Sequence, residues 1–236
     1  MRRKRITSID ELRALREKFA GQRTGVRTIV VSALSSCCCE GREVSRALEK
    51  EIRKQKLTGR IAVRETGCHG LCEREPIVFV EPEGFWYPNV RPADAKEIVS
   101  AAARGRPVNR LLHVDPATGA RIVSEKEVPF FAGQKRLLLQ TNRLINPVRI
   151  EDYIAAGGYQ ALADVLSGWR PEQVIEAVEK AGLRGRGGGG FPTGKKWRSC
   201  RDAAGSPKYV ICNVDEGDLG AYMDRSLLEG NPHAVL

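Results

Sequence analysis

The stretch TGCHGLCEREPIVFV, residues 66–80, puts Cys68 and Cys72 on one tight turn and follows them at once with the apolar run Pro76–Val80. A short continuous apolar run bounded by turn formers reads as a buried strand. Upstream, RTIVVSAL at Arg27–Leu34 reads as a first strand, Glu43–Gln55 as a helix carrying Val44, Leu48 and Ile52, and Arg60–Arg64 as a second strand. Pro76–Val80 is then the third strand, Gly84–Tyr87 a fourth, and Pro92–Ala102 a closing helix. The order strand, helix, strand, turn, strand, strand, helix predicts an α/β domain over residues 26–106.

Composition bounds the rest. The chain has 236 residues, of which 42% are hydrophobic, enough to bury a core in one large or two small domains. No apolar run approaches the ~20 residues that span a bilayer. The basic start MRRKR lacks the apolar region of a secretory signal, so a cytoplasmic location is expected. Three of the seven cysteines are adjacent, at Cys37, Cys38 and Cys39. They do not form the spaced pairs of a disulfide framework and read as metal or cluster ligands. The net charge of +10 is spread along the chain with no nucleic-acid-binding pattern, and serves acidic partners or anionic cofactors instead.

Before the α/β domain, residues 1–25 carry Leu12, Leu15 and Phe19 at helical spacing behind Asp10 and Glu11, a leader helix. After it, residues 107–150 are rich in turns and read as a linker with some packing of its own. From residue 151 the pattern turns helical again, at Ile150–Ala156, Gly158–Ser167 and Pro171–Ala181, and Lys208–Cys212 reads as a strand.

Between those last elements lies GLRGRGGGGFPTG, residues 182–194, with seven glycines in thirteen residues, and Lys195, Lys196 and Trp197 follow. Ordering so many glycines is entropically costly, which a bound ligand offsets. Glycines let main-chain N–H groups approach anionic oxygens, and Arg184, Arg186, Lys195 and Lys196 supply charge, so the run suits a phosphorylated cofactor. Gly185, Gly187 and Gly190 satisfy G-x-G-x-x-G, but a helix leads into them where a dinucleotide fingerprint requires a strand. A disordered Arg-Gly tract touching RNA is opposed by Phe191, Pro192 and Trp197, which continue as folded sequence. The run has a partner in NVDEGDLGAYMDR, residues 213–225. Its acids Asp215, Glu216 and Asp218 suit ribityl or ribose hydroxyls, and Asn213 suits a flavin edge; the alternative is that the acids only pair with Arg186 or Arg225.

Four thiolates can hold a [2Fe-2S] cluster, and Cys37–Cys39 end the first strand while Cys68 and Cys72 sit on the turn. The 66–80 stretch is similar to the cluster-binding half of the thioredoxin-like ferredoxins, whose element order the domain shares. The resemblance implies Cys37, Cys68 and Cys72 as metal ligands. That family's first pair is commonly C-x4-C, and counting back from Cys37 lands on Ser32, which leaves Cys38 or Cys39 for the fourth thiolate. Zinc with His69 in the turn, a dithiol redox pair, and a degenerate docking domain are the rival readings.

Together, GLRGRGGGGFPTGKKW and NVDEGDLGAYMDR resemble the large flavoprotein subunit of NADH:quinone oxidoreductase, and most closely its relatives in NAD(P)-linked hydrogenases and formate dehydrogenases. The resemblance runs through PFFAGQKRLLL and IEDYIAAGGYQAL and covers nearly the whole chain. It implies a thioredoxin-like ferredoxin domain followed by the first part of an α/β FMN-binding domain, residues 151–236. It also implies cofactors FMN, NAD(P)H and a [2Fe-2S] cluster. Gly185, Arg186, Gly187, Gly188, Lys196, Asn213, Asp215, Glu216 and Gly217 match positions that contact FMN, and Phe191 an aromatic that stacks on the nicotinamide nucleotide. Asp218 falls beside the nicotinamide and is paired with Glu216 as the candidate catalytic residues, neither needing to act as acid or base. Gly189 stands where alanine is usual and Leu219 where proline is common.

The activity implied is hydride transfer between NAD(P)H and FMN with single electrons passing to iron–sulfur centres. The implied partners are other subunits of a redox complex: a small thioredoxin-like ferredoxin subunit, a hydrogenase, a formate dehydrogenase or a quinone-reducing module. The family continues beyond residue 236 into a [4Fe-4S] domain for which this chain has no cysteine set, so the resemblance implies a fragment of low activity alone, with Cys200 and Cys212 as ordinary buried thiols. The alternative function is a non-catalytic [2Fe-2S] electron-transfer or docking module with an incomplete flavin site.

Overall fold

The computed structural model describes residues 5–22, 25–34 and 40–236. Cys37, Cys38 and Cys39 lie outside the described residues. The chain divides into two units: Leu15–Gly158 with Asp215–Leu236, and Met1–Ala14 with Tyr159–Val214. Helix α1 (Ile9–Gly21) opens with the Ser8 hydroxyl accepting from the Glu11 amide at 3.1 Å, and buries Leu12.

The first unit is built on β1 (Arg27–Ser32), α2 (Gly41–Lys54), β2 (Ile61–Thr66), β3 (Val78–Glu81), β4 (Phe85–Tyr87) and α3 (Ala95–Ala103). The sheet runs in the order β2-β1-β3-β4. Strands β1 and β2 are parallel, Arg27 opposite Ile61 and Ser32 opposite Thr66, as a helical crossover demands. Strand β3 is antiparallel to β1 and forms a hairpin with β4, turning at Gly84 with φ +78°. This is the thioredoxin-like order that the sequence predicts.

Alternation along β1 sends Ile29 and Val31 to one face, where they join Val44, Leu48 and Ile52 of α2 and Ile98 and Val99 of α3. Val30 goes to the other face with Phe79 and Trp86. Each such buried side chain contributes about 1.5–3 kcal/mol relative to exposure. Gly41 brings α2 against the end of β1, since a Cβ there would come within 2.3 Å of the Ser32 carbonyl oxygen.

What covers the second face is the segment the sequence reads as a linker. Strands β5 (His113–Val114) and β6 (Arg121–Ile122) form a small hairpin, and α4 (Pro129–Ala132) follows. Ile122, Val128 and Phe131 pack on Phe79 and Trp86, and the Trp86 amide donates to Val123 O at 2.9 Å. Glu125, buried, accepts from Arg136 at 2.9 Å and from Arg143. Those guanidinium groups lie over the Phe131 and Phe79 rings at 4.6 and 5.1 Å. The unit is completed by α5 (Ile150–Ala155).

The second unit consists largely of α6 (Gln160–Gly168), α7 (Pro171–Lys180) and α8 (Thr193–Asp202). Helix α8 packs on α7 at Gly194, where a Cβ would meet Glu179 Cγ at 2.3 Å, and Arg198 clamps the Glu179 carboxylate at 2.9 and 2.6 Å. Lys208–Cys212 corrects the sequence reading: no strand forms there, and Tyr209, Val210 and Ile211 are 77, 100 and 86% exposed. A strand exists only through a neighbour's hydrogen bonds, and among the described residues none pairs with this run. Cys200 and Cys212 are likewise exposed and not buried thiols. Helices α9 (Met223–Gly230) and α10 (Pro232–Val235) return to the first unit. There His233 stacks on Tyr153 of α5 at 5.4 Å. No helix of the described residues is long and apolar enough to cross a membrane.

Candidate functional site

The cysteine turn starts where β2 ends. Cys68 is buried and Cys72 exposed, so one thiol faces the core and the other the surface. The Gly70 amide donates to Cys68 Sγ at 3.2 Å, a contact that stabilises charge on sulfur. Gly70 makes this possible with φ +87°. His69 between them is buried, its ring 5.1 Å from Phe79 and its Nε2 3.1 Å from Thr66 Oγ1. Burial, then the charges of Arg143 and Arg136, hold its pKa down to about 3, so the imidazole is neutral. Among the described residues no three His, Cys, Asp or Glu side chains converge to hold a metal ion, so His69 is not part of a zinc site built from them.

Ser32 is not spare as a ligand. Its hydroxyl donates to Glu75 Oε2, and the Ile77 amide donates to Ser32 Oγ at 3.0 Å and to Glu75 Oε2 at 2.8 Å. The described thiols therefore fit half of a four-thiolate [2Fe-2S] donor set. The other half has to come from Cys37 with Cys38 or Cys39.

In the acidic segment, Asp215 and Asp218 are exposed and Gly217 lies between them. Glu216 is placed differently. Its carboxylate accepts from the amides of Met223, Asp224 at 2.8 Å and Arg225 at 3.2 Å, so it caps α9 from seven to nine residues away. Tyr222, which precedes the helix, takes φ +51°, a strained value for a non-glycine residue. The far end of α9 reaches the cysteine turn: a Cβ on Gly67 would come within 2.3 Å of Gly230 Cα.

In the other unit, the glycine-rich run forms a closed loop between α7 and α8. The Gly185 amide donates to Phe191 O and the Thr193 amide to Leu183 O, both at 2.9 Å, and Arg184 Nε donates to Gly190 O at 2.6 Å. Gly188 and Gly190 take φ +103° and +57°, which explains two of the glycines. Gly187 and Gly189 are not explained by the protein itself: a Cβ on either meets nothing within 4 Å, and neither has positive φ. Bare main chain facing open space is what close approach of a ligand requires. Arg186, Phe191, Lys195 and Lys196 are exposed around it, with both lysines in the first turn of α8. A helix N-terminus with cations and uncovered amides attracts phosphate, so the residues present fit the phosphate end of FMN. Asn213 belongs to this unit and is exposed. Glu216 as an α9 cap is what sequence reasoning missed, since the usual capping carboxylate lies only three residues away.

A thiol turn at the end of an α/β sheet, with a cation-rimmed glycine loop ahead of a helix, is the equipment of an iron–sulfur flavoprotein. Residues 178–236 match the family described as the Nuo51 FMN-binding domain. The chain is 48% identical over 103 residues to the NADP-reducing hydrogenase subunit HndC of Solidesulfovibrio fructosivorans, covering 44% of this chain and 21% of that protein. It is 33% identical over 207 residues to the NAD-reducing hydrogenase HoxS subunit alpha of Cupriavidus necator, covering 81% of this chain and 30% of that protein. A solved thioredoxin-like [2Fe-2S] ferredoxin from Aquifex aeolicus is 30% identical, covering 37% of this chain and 90% of that one with a TM-score of 0.34. The chain belongs to the family of flavoprotein subunits found in NADH-quinone oxidoreductase and NAD(P)-reducing hydrogenases. It spans 21–30% of the length of the relatives first matched.

Proposed function

We propose that the chain works as part of the flavoprotein subunit of a cytoplasmic NAD(P)H-linked oxidoreductase complex, with residues 151–236 opening its FMN-binding domain. The observation that carries this reading is the glycine loop, whose Gly187 and Gly189 leave main chain uncovered beside the lysine-bearing start of α8, within the stretch matched by the FMN-binding family.

When bound, FMN accepts hydride from NAD(P)H and releases electrons singly to iron–sulfur centres. The chain's own residues bind and orient. Arg186 and Lys196 neutralise phosphate, the amides of Gly185, Gly187 and Gly188 donate to it, and Phe191, 58% exposed, offers a face for the nicotinamide nucleotide. Asn213, Asp215 and Gly217 serve the ribityl chain and ring edge. Asp218 stands beside the nicotinamide, and Glu216 acts by holding the start of α9 and not as a proton carrier. Cys68 and Cys72, with Cys37 and one neighbour of it, hold the [2Fe-2S] cluster. The partners are the remaining subunits of the complex: a small thioredoxin-like ferredoxin subunit and a hydrogenase, formate dehydrogenase or quinone-reducing module.

The test is to reconstitute the chain with FMN, iron and sulfide, and record its visible spectrum before and after NADH. Bleaching of a retained flavin band supports the proposal. A [2Fe-2S] spectrum with no retained flavin supports the second reading, an electron-transfer or docking module. Loss of both chromophores on desalting refutes both.

A further inference from the structure

Asn142 is fully buried, yet it belongs to neither donor set. It sits in a turn closed by its own amide donating to Leu139 O at 3.2 Å. Its Nδ2 donates to the Cys68 carbonyl at 3.2 Å across 74 residues, while its Oδ1 is buried with no hydrogen-bond partner. The side chain is wedged between two glycines. A Cβ on Gly230 would come 2.3 Å from Asn142 Nδ2, and one on Gly67 would come 3.4 Å from it.

If Asn142 were there only to fill space, an apolar side chain would do so without an orphaned oxygen, which costs about 1–3 kcal/mol. What an apolar side chain cannot do is donate to Cys68. Cys68 is fixed on one side by the Gly70 amide on its sulfur and on the other by Asn142 on its carbonyl. Gly230, against which Asn142 packs, ends the same eight-residue helix whose first amides Glu216 holds. One rigid element therefore runs from the acidic segment to the back of the thiol turn.

We propose that Asn142 is a positioning residue for the cysteine turn: its donation to the Cys68 carbonyl, wedged between Gly67 and Gly230, fixes the direction of the Cys68 thiol and ties it to α9. The cluster part of this inference rests on the reading of Cys68 and Cys72 as ligands, whereas the orientation of the thiol does not.

Two variants of the full chain separate the possibilities. Asn142→Asp keeps the volume and removes the donor; Gly230→Ala leaves Asn142 intact but drives its Nδ2 off the carbonyl. In cluster-free protein, iodoacetamide labelling of Cys68 read by peptide mass spectrometry is expected to rise about five- to tenfold in both, the factor one hydrogen bond supplies. Hydrogen exchange at the Ile29 and Val31 amides should stay at the wild-type rate. In reconstituted protein both variants should shift the cluster's reduction potential and its electron paramagnetic resonance spectrum. Wild-type labelling rates in both variants overturn the proposal, as does a rise in Cys68 labelling matched by equal loss of protection at Ile29 and Val31, which marks general loosening. If the wild-type chain takes up no cluster, the ligand reading fails, and the labelling comparison still decides the role of Asn142.

Discussion

The Ser32 hydroxyl donates to the Glu75 carboxylate across 43 residues, at the point where β1 ends beside the cysteine turn. Serine occupies the position from which a C-x4-C pair would present its first thiol, and it is engaged instead in holding an acid. Burial pushes the Glu75 pKa up to about 7, although the hydrogen bonds from Ser32 and the Ile77 amide oppose the shift.

The sign of the resulting pH dependence follows by linkage. Between its ordinary value of 4.5 and about 7, Glu75 is protonated when folded and ionised when unfolded, so stability falls as pH rises through that window and levels off above it. His69 works the other way. Its folded pKa of about 3 lies below the ordinary 6.5, so stability is lost as pH drops from 6.5 toward 3. Metal-free protein is therefore expected to show opposed slopes between pH 4.5 and 6.5. Glu75→Gln should leave stability rising with pH up to 6.5. Urea unfolding across a pH series checks this, and superimposable profiles for variant and wild type would refute it.

The glycine loop separates backbone need from ligand need. Gly188→Ala places a Cβ at φ +103°, which is expected to cost about 1–2 kcal/mol in folding stability. Gly187→Ala has open space around its Cβ and no positive φ, so stability should change by no more than about 0.5 kcal/mol. The same Gly187→Ala change should weaken FMN binding, read by flavin fluorescence titration, because it covers main chain that the ligand approaches. Equal FMN affinity in wild type and Gly187→Ala would show that this part of the loop does not meet the cofactor.

The sheet was legible because its signals are local. Arg27–Ser32 is apolar on both faces, and Val44, Leu48 and Ile52 recur at helical spacing, so neither needs knowledge of a distant partner. The cover over the second face was not legible. Ile122, Val128 and Phe131 share no single period, and Glu125 finds Arg136 and Arg143 at separations of 11 and 18 residues. Lys208–Cys212 failed for the complementary reason: its composition suits a strand, but composition does not supply a neighbour. In the site, the spacing of Cys68 and Cys72 and the density of glycines are written in consecutive residues. The grip of Glu216 on α9 and of Asn142 on Cys68 arises only once separate segments have packed.

Glu125 makes the linker's role testable. Its side chain is 8% exposed and joins two guanidinium groups that lie on core rings. Removing one member of a buried network leaves the others uncompensated, but both arginines are partly exposed and recover some hydration. Glu125→Ala is expected to destabilise the first unit by about 2 kcal/mol, and Glu125→Gln by less, since its amide oxygen still accepts. Denaturant melts check this. A neutral Glu125→Ala would mean that the apolar residues alone hold residues 122–143 on the sheet.

Gly194 joins the packing of the second unit to its ligand loop. Helix α8 lies so close to α7 that a Cβ on Gly194 would stand 2.8 Å from the Glu179 amide nitrogen and 2.9 Å from its Cα, both main chain that cannot swing away. Gly194→Ala must therefore part the two helices, at a cost of about 1–3 kcal/mol for overpacking. The glycine loop spans the same two helices, closed by the Thr193 amide on Leu183 O. Parting them should open that closure and weaken FMN binding, although residue 194 has no side chain to offer the ligand. Ser199→Ala is the control: it lies on the same helix, is exposed, and bonds only to Lys195 O within its own turn. Thermal melts and flavin titrations of both variants test the link. If Gly194→Ala loses stability yet binds FMN as tightly as wild type, the loop holds its shape independently of α7 and α8.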